Sequence, residues 1–160
     1  MSNLDMAGAV SFAVVLPALL VAHQVADHWV QTDHQAGHKG LPGWAGRWAC
    51  GKHVATYTVV TTLAVLGVWA MFALPLGWGG VLVGQLVSAV THYWADRRTT
   101  LAALAEASGS GAFYRLGAPR AGRDDNPSLG TGAYALDQSW HWLWLGVAAA
   151  ATALIGGGAS

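Results

Sequence analysis

Four apolar stretches, each long enough to cross a bilayer, limit what this chain can fold into. Spanning a hydrocarbon core of about 30 Å takes about 20 residues of helix, because backbone polar groups in lipid have to be satisfied within the segment itself. The stretches run from about Met6 to Gln31, Val54 to Leu74, Leu76 to Asp96 and Ala133 to Ile155. Pro75, Gly77 and Gly79 break the helical pattern between the second and third, and so short a connection makes those helices antiparallel neighbours. Charged residues are only 10% of the 160, where a soluble domain carries roughly a quarter. The expected fold is an all-α membrane protein, a single domain over 1–160 built as an antiparallel bundle of four transmembrane helices.

The distribution of charge gives the expected orientation. All eight Lys and Arg fall within 39–52 and 97–123, two segments that four spans put on one side, and the positive-inside rule makes that side cytoplasmic, with both termini outside. Met1 to Met6 has no Lys or Arg to form the basic region of a signal peptide, so the first span is expected to be retained. Polar, Gly-rich residues from Asp33 to Gly51 read as a loop. The longer connection, 97–132, opens with RRTTLAALAEA, which reads as an extension of the third helix into water, and then turns Gly, Pro, Arg and Asp rich as a candidate lid. Cys50, the only cysteine, excludes an intramolecular disulfide and a C-x-x-C metal site. Gly67 and Gly84 permit close helix approach.

Three helices carry a histidine and an aspartate four residues apart: His23 with Asp27, His92 with Asp96, and Asp137 with His141. Residues at i and i+4 share a helix face. The first and third helices run inward and the fourth outward, so each pair places its aspartate nearer the cytoplasm, about one turn, roughly 5 to 6 Å, beyond its histidine. His53, at the cytoplasmic start of the second helix, joins the aspartate layer. Ionisable residues within spans cost about 2.5 to 3.5 kcal/mol each at the helix centre, so they face the bundle and find partners. His–Asp hydrogen bonds between packed helices are one such use; a shared metal is the other.

Imidazole and carboxylate together suit Zn, Mn or Fe, and helix bundles build dinuclear sites from such residues on facing helices. His23, Asp27, His53, His92, Asp96, Asp137 and His141 are therefore the candidate ligands of one or two divalent ions. Asp27, Asp96 and Asp137 are also candidate catalytic groups, together with Gln31, which continues the His23 and Asp27 face by four more residues. Lys39, Lys52, Arg97 and Arg98 surround the same mouth and are candidate phosphate-binding residues, Arg97 first because it follows Asp96. Gln138 reads as facing away from the cluster, as a helix-to-helix hydrogen bond. His28, His34 and His38 read as solvent or interface residues, and Asp33, Asp124 and Asp125 as solvated.

HQVADHWVQTD at 23–33, Lys39, His53, His92 with Asp96, and LDQSWH at 136–141 resemble the DUF3307 family of uncharacterised bacterial membrane proteins, and the resemblance covers all four spans. It implies a bacterial plasma membrane and brings no established reaction with it. More distantly the chain looks like the YdjM-type membrane-bound metal-dependent hydrolases, an analogy of fold.

The expected function is a metal-dependent membrane hydrolase acting on a phosphate-containing, lipid or lipid-linked substrate at the cytoplasmic interface, a metal supplying hydroxide near neutral pH. A divalent metal or proton transporter or channel is the alternative: HQVADH is similar to the signature of nickel and cobalt transporters, one residue short in its spacing. A non-catalytic accessory subunit is the third. Membrane lipids are the expected partners, with room for a homo-oligomer and no nucleic acid.

Overall fold

The structure, a computed structural model, describes residues 3–120 and 131–155; Asp124 and Asp125 lie outside them. All the regular structure among these residues is helical, in the order α1 (Asn3–Val25), a π-helical turn (Ala26–Val30), α2 (Asp33–His38), α3 (Gly43–Phe72), α4 (Trp78–Asp96), α5 (Thr99–Ala107), α6 (Gly111–Tyr114) and α7 (Gly132–Leu154).

The ends of these helices follow from local chemistry. In the π turn the Gln31 N–H donates to the Ala26 carbonyl, five residues back, at 2.9 Å, and the chain leaves the helix at Gln31 in an extended conformation. Thr32 and Gln35 close a capping box at the start of α2: Thr32 Oγ1 accepts from the Gln35 N–H at 3.2 Å and Gln35 Oε1 from the Thr32 N–H at 2.9 Å. α3 ends on Ala73, whose left-handed φ of 47° lets its N–H and that of Leu74 both reach the Trp69 carbonyl.

Two connections differ from the sequence reading. The segment Asp33 to Gly51 is mostly helical, because α3 begins at Gly43, after Pro42, and runs for 30 residues. Its first turns bury Gly46, Ala49 and Cys50 at helical spacing, and at Gly46 a Cβ would collide with the Leu41 carbonyl. The second difference is that RRTTLAALAEA does not prolong α4: Arg98 has a φ of +56° and turns the chain before α5.

The four long helices close a ring in which α1 packs on α3 and α7, and α4 packs on α3 and α7. Gly8 at the start of α1 lies against Leu154 at the end of α7, Gly80 at the start of α4 against Thr152, and the Trp69 and Trp78 rings meet edge-on at 4.8 Å between the end of α3 and the start of α4. Ring neighbours are therefore antiparallel. Gly84 permits a close approach, where a Cβ would stand 2.7 Å from the Ala148 carbonyl oxygen, whereas nothing packs near Gly67. Val15, Leu19, Val65, Val81, Leu145, Ala148 and Ala149 form the apolar core at one end of the ring. Met6–Val30 and Gly43–Phe72 are long and apolar enough to cross a membrane.

Candidate metal centre

The other end of the ring is polar. At the His53 and His92 levels α3 and α4 face each other so closely that the two Nε2 atoms are 3.0 Å apart, and both residues are essentially excluded from solvent. Asp96 Oδ2 lies 3.2 Å from each of these nitrogens, forming a triangle with them. Asp27 Oδ1, projected inward from the π turn, completes a second triangle on the same edge, 3.4 Å from His53 Nε2 and 3.5 Å from His92 Nε2. Ligand atoms bound at 2.0–2.2 Å around a tetrahedral ion are separated by about 3.3–3.6 Å. The sides of both triangles are close to that length.

Asp27 Oδ1 and Asp96 Oδ2 are buried, and the neighbours they face are the Nε2 atoms of His53 and His92, which satisfy a carboxylate oxygen only while they carry a proton. An unsatisfied buried carboxylate oxygen is costly, so these two atoms fit a cation between them and the imidazoles. Behind the rings, the Nδ1 atoms of His53 and His92 lack partners, in contrast to the carboxylate or carbonyl that usually orients a metal-bound histidine. His92 is oriented by packing instead: the Tyr57 ring stacks on it at 3.9 Å.

The remaining histidines continue the cluster towards α7. His141 packs ring to ring with His92 at 4.2 Å and with His23 at 4.9 Å. His141 Nε2 is 3.5 Å from Asp137 Oδ1, and His23 Nδ1 is 3.7 Å from Asp27 Oδ2. Three groups bring their ligand atoms within 4.8 Å of one another: His23, His92 and His141; Asp27, His53 and His92; and Asp96, Asp137 and His141. All seven side chains singled out as ligands thus meet at one end of the ring. His53 sits directly against His92, so it belongs as much to the histidine layer as to the aspartate layer in which the sequence put it.

A cavity of about 480 Å³ opens onto this cluster, lined by the three aspartates and by Gln31, Lys39 and Arg98, with Tyr114 and Tyr134 at its sides. The four basic residues expected at the mouth part company here. Lys39 is buried in the site itself, its Nζ 2.8 Å from Asp96 Oδ1, where it balances one carboxylate charge. Arg98 lines the cavity and donates to the Ala36 carbonyl at 3.2 Å. Arg97 is spent on backbone, donating to the Lys39 carbonyl at 2.5 Å and the Leu41 carbonyl at 2.6 Å, so it straps down the segment that delivers Lys39. Lys52 lies over the Trp48 ring at 5.5 Å, away from the cavity.

Gln138 does not face away from the cluster: its Oε1 accepts from Gln24 Nε2 at 3.0 Å and lies 3.4 Å from His23 Nε2. The expected bond between helices is there, but it also touches a candidate ligand, because the glutamine side chain is long enough to reach back across α1. His28 and His34 are exposed; His28 borders the cavity, and His34 stacks on His38 at 4.1 Å. Pattern reasoning missed the buried Tyr57, whose hydroxyl bonds to Ser88 at 2.8 Å. Its spacing was a visible signal: Tyr57 lies four residues beyond His53, and Ser88 four before His92.

Fold and site together define an all-helical protein, with two helices able to cross a membrane, whose buried histidine and aspartate groups could hold a metal ion. Residues 15–156 match the family described as "Protein of unknown function (DUF3307)", and the chain belongs to that family. No curated protein and no solved structure matches the chain, and no relationship to the YdjM-type hydrolases is shown.

Proposed function

We propose that this protein is a metal-dependent integral membrane hydrolase that cleaves a phosphate ester on a lipid or lipid-linked substrate at the cytoplasmic face of a bacterial plasma membrane. The observation that carries this reading is the convergence of two buried carboxylate oxygens, Asp27 Oδ1 and Asp96 Oδ2, on the Nε2 atoms of His53 and His92 at ligand-like separations of 3.2–3.5 Å, beside a cavity with two cationic residues. A divalent ion held there, Zn, Mn or Fe, would lower the pKa of a bound water towards neutrality and polarise the phosphoryl oxygen. Arg98 is positioned to meet the phosphate charge, with Lys39 beside it on the cavity wall holding Asp96, and Gln31, whose buried Nε2 lacks a partner, to donate to it.

All four long helices span the bilayer in this reading, with both termini outside. The outward side chains of α4 and α7 support it: Leu82, Leu86 and Val90 on one, Leu143, Val147 and Leu154 on the other, are all exposed. Polar Gln85, Ser88, His92, His141 and Thr152 point inward on the same helices. Their mean hydropathy is lowered by a buried face that lipid never meets. Soluble packing would reverse this arrangement.

Transport of a divalent ion or protons is the second reading, favoured by two polar rungs between α3 and α4 below the cluster, Tyr57 with Ser88 and Thr61 with Gln85, each bonded at 2.8 Å. Beyond them the buried Val15, Leu19, Val65, Val81 and Leu145 seal the axis, which ranks hydrolysis first.

The test pairs metal analysis with turnover. Purified protein supplemented with Zn, Mn or Fe should retain stoichiometric metal, lose it in Asp96→Ala, and release phosphate from at least one member of a panel of lipid phosphates. Metal uptake into proteoliposomes without hydrolysis would reverse the ranking, and no retained metal under any supplementation would overturn the site.

A further inference from the structure

We propose that the centre is dinuclear, with a second divalent ion bound by Asp96, Asp137 and His141 on the cavity side of the ion held by His53, His92 and Asp27. This rests on the metal-dependent reading above and adds to it a distinct site with its own ligands and its own access.

The ligand atoms of Asp96, Asp137 and His141 lie within 4.8 Å of one another, with His141 Nε2 3.5 Å from Asp137 Oδ1. His141 is 3% exposed, and its Nε2 makes no well-aligned hydrogen bond, its near neighbour in this group being the Asp137 carboxylate. A buried imidazole nitrogen facing a carboxylate needs a cation or a proton between them. Asp96 belongs to both groups, since its Oδ2 also faces His53 and His92. A carboxylate shared in this way is the element that joins two ions in helix-bundle centres, and paired hydrolytic ions stand about 3.5–4 Å apart.

The two sites differ in access. The first ion's ligands His53, His92 and Asp27 are at most 9% exposed, whereas the Asp137 side chain is 28% exposed, and all three aspartates line the cavity. The second ion therefore has three protein ligands and faces the cavity with open coordination positions, the arrangement of a catalytic rather than a structural ion. Charge points the same way. Three aspartates are balanced by Lys39 and one divalent ion, so a second ion leaves two positive charges in a poorly solvated pocket. A phosphate oxyanion entering the cavity cancels them.

The experiment uses full-length protein in detergent, stripped with EDTA and reloaded with Mn²⁺, read by elemental analysis and electron paramagnetic resonance. The expected wild type holds two Mn per chain as a spin-coupled pair. Asp137→Asn, a near-isosteric change at the cavity wall, should hold one Mn with the signal of an isolated ion. One uncoupled Mn per wild-type chain overturns the second site and leaves the single-ion hydrolase standing; two Mn in both proteins place the second ion elsewhere and overturn this assignment. No Mn in either overturns both readings. Wild-type stoichiometry and coupling decide whether the centre is dinuclear even if Asp137→Asn fails to fold, and His141→Gln then tests the ligand assignment in the same way.

Discussion

Replacing Lys39 by methionine isolates the charge that holds the metal-free site together. Methionine keeps the length and apolar contacts of the lysine stem, so the substitution removes little besides the ammonium. Lys39 Nζ lies 2.8 Å from Asp96 Oδ1, with the lysine side chain 11% and the aspartate 2% exposed. Removing one partner of a buried ion pair leaves an uncompensated charge and costs about 3–5 kcal/mol. At about 2–4 °C of unfolding temperature per kcal/mol for a chain of this size, the variant stripped with EDTA should melt about 6–20 °C below wild type. Tryptophan fluorescence in detergent reads the transition directly, since the chain has nine tryptophans. Saturating divalent metal supplies the missing positive charge on the other oxygen of Asp96, so most of the deficit should vanish and the ion should bind the variant more tightly than wild type. Melting within about 2 °C of wild type without metal would refute the claim that Asp96 depends on Lys39. A deficit untouched by metal would refute the claim that lysine and ion compensate the same carboxylate.

Two further substitutions test the frame that carries the site. Gly84→Val should cost at least about 1–3 kcal/mol through overpacking, because its Cβ stands 2.7 Å from the Ala148 carbonyl oxygen and collides with Thr152 Oγ1; thermal unfolding in detergent checks it, and unchanged stability would contradict the close α4–α7 contact. Ala73→Gly should raise stability by about 0.5–1 kcal/mol, since glycine adopts the left-handed cap at the end of α3 without a Cβ penalty; a lower melting temperature would show that the cap is held by something other than its backbone conformation.

The site was more legible than the connections around it. Three His–Asp pairs at i, i+4 convey where side chains point, because helix periodicity and buried charge both depend on local spacing, whereas His53, expected at the start of a helix, lies ten residues into α3. Lys39 was readable as a residue near the mouth, but not as an ion-pair partner within the cluster, since its place is fixed by Arg97 and the Lys39 and Leu41 carbonyls some 56 to 58 residues apart in the chain. No pattern in sequence encodes such a bond to backbone. The early start of α3 was hidden by its glycines, which depress helix propensity yet are what lets Gly46 pass the Leu41 carbonyl. Arg98 likewise gave no warning of a left-handed φ, a conformation that glycine, not arginine, usually marks.

The π turn at Ala26–Val30 separates two requirements that a regular helix would have tied together. It accommodates one more residue per turn than an α-helix, and each helical residue contributes about 100° of rotation. Asp27 can therefore keep the phase of His23 while the exit at Gln31 is redirected towards α2 and Lys39. The extra residue acts as a phase adjuster between the carboxylate that faces the metal position and the polypeptide that returns a cation to it. One short turn thus carries Asp27 to the metal position and starts the segment that returns Lys39 to Asp96, so a change in its length would move both groups at once.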